Sequence, residues 1–239
     1  MNLEAALYLI PVPLGTTSIA QVLPSYNRDC IVQIKHFIVE NVRSARRFLK
    51  QVDKNIDIDT LTFYELSEHT DPRSPELAHL LDPLAQGLPM GVISEAGCPA
   101  VADPGALAVE QAQRRNFRVI PLVGPSSLLL ALMASGFNGQ SFAFNGYLPV
   151  KPNERAAKLR ALESRVYKED QTQLFIETPY RNEKLLEALL RTLRGETRLC
   201  IAAGLTTEQE LIKTKTVAEW KKSPLPSLAK IPTIFLLYK

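Results

Sequence analysis

The sequence predicts an α/β fold built on a largely parallel sheet, and three observations predict it. Short apolar runs alternate with longer stretches of helical period through the first half of the chain. With 46% hydrophobic and 22% charged residues, a chain of 239 residues can bury the core of one large domain or of two smaller ones. Backbone punctuation is concentrated in mid-chain: eight of the 11 glycines fall between Gly87 and Gly146, and seven of the 17 prolines between Pro89 and Pro152. A ligand loop is therefore sought there.

Taken in order, residues 6–10 (ALYLI), 30–34 (CIVQI), 37–39, 61–64 and 91–93 read as strands, with helices over 43–52 and 74–86. The second helix has a start signal, with Ser74 as N-cap, Pro75 at the first helical position and Glu76 beside the positive end of the dipole. A helix from Gly105 to about 115 and a strand at 117–123 complete a first domain, residues 1–122. The second domain, residues 123–239, opens on a small-residue helix from Ser126 that Gly136 closes. A strand at 142–144, a basic helix at 153–168, strands at 172–176, 198–203 and 232–238 and a helix at 181–194 follow, with a surface loop at 221–227.

The net charge of +3 excludes polybasic behaviour for the whole chain, but it averages unlike halves. Residues 1–122 carry 11 basic and 14 acidic side chains, and residues 123–239 carry 17 and 11. Within the second half, Lys151, Arg155, Lys158, Arg160, Arg165 and Lys168 face only Glu154 and Glu163 over 151–168, a pattern that suits either a solvated helix face or contact with phosphates. Cys30, Cys98 and Cys200 match no metal spacing and no disulfide framework, so no metal site is expected and a reducing compartment is. The opening lacks the basic n-region of a signal peptide and no later run reaches the ~20 apolar residues of a membrane span, so a cytoplasmic protein with no membrane partner is expected.

The segment 94–105, SEAGCPAVADPG, lies between a predicted strand and a predicted helix, the junction at which parallel α/β sheets bind ligands. Gly97 and Gly105 permit positive φ and close backbone approach, while Glu95 and Asp103 offer acceptors. The chain lacks both a P-loop and a GxGxxG fingerprint, and composition alone leaves a structural loop and a ligand loop open. Two other strand ends join it: PVPLG at 11–15, and GPSS at 124–127, where Ser126 suits an N-cap or the helix N-terminus suits an anionic group.

The set LYLIPVPLG, VISEAGCPAVADPG, VIPLVGPSS, FNGYLP and IETPYR, in that order over nearly the whole chain, resembles the tetrapyrrole-methylase family of S-adenosylmethionine-dependent methyltransferases. It is most similar to the branch that 2′-O-methylates a cytidine of 16S ribosomal RNA. The resemblance implies two α/β domains with the cofactor cleft between them, usually in a homodimer. It places Leu14, Gly15, Glu95, Gly97, Val101, Ala102, Asp103, Ser126, Ser127, Tyr147, Glu177, Ala202, Ala203 and Gly204 at S-adenosylmethionine. It also implies a small-ribosomal-subunit RNA partner, which the basic helix suits.

The acceptor side departs from that branch. AEDTR becomes Val39-Glu40-Asn41-Val42-Arg43, ARELTK becomes Ala202-Ala203-Gly204-Leu205-Thr206-Thr207, Thr16 replaces an Asn, and Tyr180 replaces a His. Glu40 and Arg43, retained at a strand end, are the catalytic candidates, as base and phosphate holder, or else form a structural ion pair. His69 lies where the branch has a His-rich substrate stretch, His36 and His79 are read as packing residues, and Cys98 as a small packing residue. Methylation of a tetrapyrrole or other metabolite, and a non-catalytic S-adenosylmethionine- or RNA-binding module, stand as rival functions.

Overall fold

The computed structural model describes residues 3–67, 69–71, 74, 77 and 79–239. The chain divides into two compact units, Met1–Ser126 and Ser127–Lys239, a boundary a few residues beyond the one drawn at 122/123 from the sequence.

The first unit holds strands β1 (Leu7–Ile10), β2 (His36–Val39), β3 (Thr62–Glu65), β4 (Met90–Ile93) and β5 (Val119–Pro121). They form one sheet in the order β3-β2-β4-β1-β5, every described pair parallel. Helices α1 (Ile19–Val22), α2 (Ser25–Ile31), α3 (Val42–Val52), α4 (Asp82–Ala85) and α5 (Ala106–Arg114) connect and cover it. β1, β2 and β4 are buried almost throughout, as both faces of a helix-covered parallel sheet must be. Two apolar clusters fill the two faces, one around Ile10, Phe37 and Leu49, the other around Leu7, Ile38 and Met90. The chain leaves β1 toward β2 and β3, returns to lay β4 beside β1, then crosses to β5 on the other side of β1. The reversal makes the carboxyl ends of β1 and β4 the switch point where α/β sheets hold ligands.

Two expectations change here, and a third falls partly outside the described residues. The run 30–34 is no strand: Cys30 and Ile31 end helix α2, because Asn27, Cys30, Ile31 and Ile34 are buried at helical spacing. Of the start signal, Pro75 and Glu76 lie outside the described residues, while Leu77 and His79 that follow are helical and a further helix is described at Asp82–Ala85. His79, expected to pack, is instead exposed and pairs with Asp82 at 2.9 Å.

The second unit has a mixed sheet, β6-β7-β10-β8-β9, from β6 (Phe142–Tyr147), β7 (Thr172–Ile176), β8 (Arg198–Ala203), β9 (Leu211–Thr216) and β10 (Thr233–Tyr238). β6 and β7 run parallel, and β10 is antiparallel to both β7 and β8, as β8 is to β9. Helix α6 (Ser127–Ser135) packs against β8, β9 and β10, and helices α7 (Pro152–Glu169), α8 (Asn182–Thr192) and α9 (Val217–Lys221) pack on the sheet around stacked Phe175 and Phe235. β9 and α9 were not legible as elements. β9 is a half-buried LIKTKT ladder with little apolar signal, and α9 is a five-residue helix held by a Thr216–Glu219 capping box and by Trp220 Nε1 donating to Leu199 O at 2.9 Å.

Gly91, in central strand β4, has no room for a side chain: a Cβ there would lie 2.6 Å from Ile10 Cδ1 and 2.9 Å from Phe37 Cδ1. Gly91→Ala is expected to lower the stability of the chain by about 1–3 kcal/mol, the usual range for overpacking a core. Urea unfolding followed by circular dichroism checks this.

Candidate functional site

Because every strand of the first unit runs the same way, the segments leaving β1, β2, β4 and β5 share one edge. Register places Ile10 beside Ile93, Val39 beside Ile93, and Leu9 beside Pro121. The loops that follow are then stitched to one another. Val12 N–H donates to Gly97 O at 3.0 Å and Gly97 N–H returns to Val12 O at 3.2 Å, a two-bond bridge between the β1 and β4 loops. The Ser94 hydroxyl donates to Gly97 O at 2.8 Å, and Cys98 Sγ donates to Pro125 O at 3.4 Å, tying in the segment after β5. Asn27, buried in α2, donates from its amide to Val123 O at 2.8 Å. Gly124 closes the set by close approach: a Cβ there would lie 2.2 Å from the ring of Pro11.

Within 94–105 the backbone takes left-handed conformations at Gly97 (φ 73°), Ala100 (φ 66°) and Ala102 (φ 53°). For the two alanines this conformation is sterically costly and needs a holding contact. Asp103 supplies it: its Oδ1 accepts from Ala100 N–H at 3.0 Å and from Gly105 N–H at 2.8 Å. Gly105 itself is right-handed, at φ −55°, which corrects the expectation of positive φ there. Its missing Cβ makes space instead, since one would lie 2.6 Å from Asp103 Oδ1 and 2.9 Å from Val92 Cγ1.

The predicted residues can now be placed. Gly15 and Glu95 are exposed and Leu14 half-buried beside Gly97. Glu95 Oε1 accepts from the Ser44 hydroxyl at 2.5 Å. Val101 and Ala102 are exposed at the crest of the loop, and Ser126 directly precedes α6, whose first residue is Ser127. Glu40 follows β2 and borders, with Asp103, Pro104 and Gly105, a small void of about 10 Å³. Arg43 stands exposed in the first turn of α3, where Asn41 caps the helix by accepting from Arg43 N–H (2.9 Å) and Ser44 N–H (3.2 Å). Glu40, Arg43, Glu95 and Asp103 thus lie at the same edge of one sheet.

In the second unit, the ends of β6, β7 and β8 and the start of β10 share another edge, with Tyr147 opposite Ile176, Ile234 opposite Ile176, and Thr233 opposite Ala203. Tyr147 is exposed there, while Ala203 and Gly204 are buried. Glu177 is buried, and its Oε1 accepts from Thr178 N–H at 2.7 Å and from Arg181 Nε and Nη2 at 3.0 and 2.6 Å. Its Oε2 has no partner, an acceptor left open in a buried position.

Burial pushes the Cys98 thiol up, which keeps it protonated and unreactive. Burial also lowers His36, whose Nδ1 lies 3.1 Å from the Tyr64 hydroxyl, so it stands as a neutral packing residue. His69 is exposed on its loop. Arg155 and Glu163, counted in the basic helix, are buried: Arg155 donates to Pro149 O at 3.0 Å and Val150 O at 2.5 Å, and Glu163 Oε1 accepts from Thr197 Oγ1 at 2.6 Å. Sequence reasoning missed Ser44 and the Val12–Gly97 bridge, for which no local pattern gives a signal. Among the described residues, no group of three or more His, Cys, Asp or Glu side chains is placed to hold a metal ion, and no helix is long and apolar enough to cross a membrane.

A parallel-sheet unit with looped carboxyl ends, followed by a mixed-sheet unit, is an arrangement this chain shares with two solved methyltransferase structures. The chain aligns with the methyltransferase CobJ at TM-score 0.63, with 17% identity, covering 98% of this chain and 94% of that one. With the cobalamin biosynthetic enzyme cobalt precorrin-4 methyltransferase, CbiF, the TM-score is 0.58 at 14% identity, over 98% and 95%. These likenesses define the fold. The family model described as Tetrapyrrole (Corrin/Porphyrin) Methylases matches residues 31–221, and the chain belongs to that family of S-adenosylmethionine-dependent methyltransferases. It is 33% identical to the ribosomal RNA small subunit methyltransferase I of Vibrio cholerae over 89% of this chain and 69% of that protein. The protein of that name from Escherichia coli O157:H7 is 29% identical over 91% and 71%.

Asp103→Ala is expected to cost about 1–3 kcal/mol, the penalty of leaving two N–H donors without their acceptor, and to open the 97–105 loop to protease cleavage. Asp103→Asn retains an Oδ1 acceptor and is expected to stay close to wild type. Thermal unfolding and limited proteolysis of the three proteins check this.

Proposed function

We propose that the protein transfers a methyl group from S-adenosylmethionine to a ribose 2′-hydroxyl of small-subunit ribosomal RNA. The observation that carries this is the similarity to proteins named ribosomal RNA small subunit methyltransferase I over about nine-tenths of the chain, joined to Glu40 and Arg43 at the loop edge of the first sheet. The residues fit the cofactor. Gly97, buried and left-handed with its N–H and carbonyl engaged by Val12 and Ser94, fixes the turn that leaves Val101 and Ala102 exposed to a ligand. In the second unit, the open Oε2 of Glu177 is an acceptor for an ammonium or hydroxyl donor. Leu14, Gly15, Glu95, Gly97, Val101, Ala102, Asp103 and Ser126 are assigned to the cofactor in the first unit, and Ser127, Tyr147, Glu177, Ala203 and Gly204 in the second. Asp103 acts through the loop it shapes, its Oδ1 being engaged by backbone.

The cofactor supplies an electrophilic methyl group on a sulfonium. The protein's own task is to orient the acceptor, exclude water and remove one proton. Glu40 accepts the proton of the ribose hydroxyl, and Arg43 holds a neighbouring phosphate in a charge-assisted contact. A homodimer acting in the cytoplasm belongs to the same proposal. On α6, Leu129 and Met133 stand 52% and 78% exposed one turn apart, an apolar strip that suits a second copy.

Isothermal titration is expected to show S-adenosylmethionine binding that Gly97→Val weakens at least tenfold. With methyl-labelled cofactor, small ribosomal subunits take up label and a tetrapyrrole panel does not, while Glu40→Gln slows transfer by about 10²-fold or more with cofactor affinity unchanged. Absence of cofactor binding in the wild type would sink both enzyme functions. Label in the tetrapyrroles alone points to the metabolite function, and label in neither pool to a non-catalytic binding module.

A further inference from the structure

Helix α3 carries Arg43, Arg46, Arg47 and Lys50, all exposed, and no acidic residue between Val42 and Val52. At 3.6 residues per turn, these four cations fall within an arc of about 100°, directly opposite buried Ala45, Phe48 and Leu49. They form a stripe about 10 Å long, the axial span of roughly three nucleotides of one strand. The basic helix α7 has no such stripe. Its exposed or half-buried cations Lys158, Arg160, Arg165 and Lys168 spread over about 160° of arc, with Glu154 among them.

Two cavities flank α3 and share Gly15 and Gln51, so they form one groove along the helix. The smaller, about 170 Å³, reaches Ser44, Arg47 and Glu95 at the loop edge of the sheet. The larger, about 830 Å³, runs on past Lys50 to Lys54 and is faced from α1, α2 and the preceding loop by Thr16, Ser18, Ser25 and Arg28. That volume lies within the roughly 300–1,000 Å³ of pockets that enclose an organic ligand. Its floor includes buried Leu23 and Ile31, and the smaller cavity includes buried Phe48. The charges are distributed unevenly. Arg28 is neutralised by Asp53 at 2.5 Å, Lys50 Nζ donates to Lys54 O at 3.0 Å, and Arg46 lies over the Phe63 ring at 5.5 Å. Arg47 and the ammonium groups of Lys50 and Lys54 supply the positive field of the groove, and the carboxylate of Glu95 marks its other end.

We propose that this groove is the track for single-stranded RNA, an inference that rests on the function proposed above and adds where the acceptor strand lies. Phosphates follow Lys54, Lys50 and Arg47 toward the one that Arg43 holds beside the reacting ribose, and bases find the apolar floor and the hydroxyl rim. Single-stranded segments suit the groove because their bases are free to splay into it, whereas a duplex presents only its outer surface.

The test is fluorescence anisotropy of a short labelled single-stranded RNA at several salt concentrations, with cofactor titration and methyl transfer to small ribosomal subunits measured alongside. The triple variant R47Q/K50Q/K54Q is expected to weaken RNA binding at least tenfold and to reduce the slope of log affinity against log salt by about 2, three contacts at ~0.7 each. Cofactor affinity stays at the wild-type value, and R47K/K50R/K54R, which retains the charges, restores binding. R160Q/R165Q/K168Q on α7 binds RNA as the wild type does. If the wild type methylates subunits and R47Q/K50Q/K54Q binds RNA unchanged, or if the α7 variant alone loses affinity, the groove assignment is overturned while the proposed function stands. A wild type that binds cofactor but has no affinity for RNA overturns both.

Discussion

The two hydrogen bonds between Val12 and Gly97 are the constraint on which the candidate site depends. They join the loops leaving β1 and β4, the two strands whose adjacency makes the switch point of the sheet. Once these loops are joined, Gly97 must sit left-handed, Ser94 has its carbonyl to bind, and Cys98 reaches Pro125 on the segment after β5. The remaining turns of the loop follow under the control of Asp103, which holds Ala100 and Gly105 in place. Backbone strain at Ala100 and Ala102 is tolerated because this network over-determines it, the condition under which strained residues persist at functional sites.

The same edge explains the division of labour. A methyl transfer needs an aligned donor, an aligned acceptor and one proton acceptor, and it needs no covalent attachment to the protein. Cys98, held protonated by burial, is accordingly a packing residue. The first sheet brings the 94–105 loop and the end of β2 side by side through the Val39–Ile93 register, so Glu40 stands against the Asp103–Gly105 turn without any contact distant in the fold having to be invoked. The α3 stripe begins where that strand ends.

Much of the fold was legible in the residues. β7 and β8 coincide with their sequence-derived spans, because each carries a concentrated apolar run bounded by polar residues. The run at 30–34 misled, since CIVQI has strand-forming residues but buries them at helical spacing, and only packing against the sheet decides between the two periods. β9 escaped because its LIKTKT sequence lies at an edge of the second sheet, where half-buried polar residues are tolerated. Of the candidate site, the 94–105 loop stood out by its glycines and prolines, yet φ values of 66° and 53° fell on alanines, a choice made by hydrogen bonds that no local rule encodes. Charge was read at too coarse a scale. A net acidic first half concealed the stripe on α3, while the basic run at 151–168 included buried Arg155 and Glu163.

The central claim is that the first unit's loop edge brings a ribose hydroxyl to a methyl donor. It is tested most directly by the chemical form of the product. Small ribosomal subunits methylated with labelled cofactor are stripped of protein and their RNA is hydrolysed in alkali, which cannot cleave the backbone beside a 2′-O-methylated ribose. The account predicts label in an alkali-resistant dinucleotide. Label recovered in single nucleotides, as base methylation would give, would contradict it.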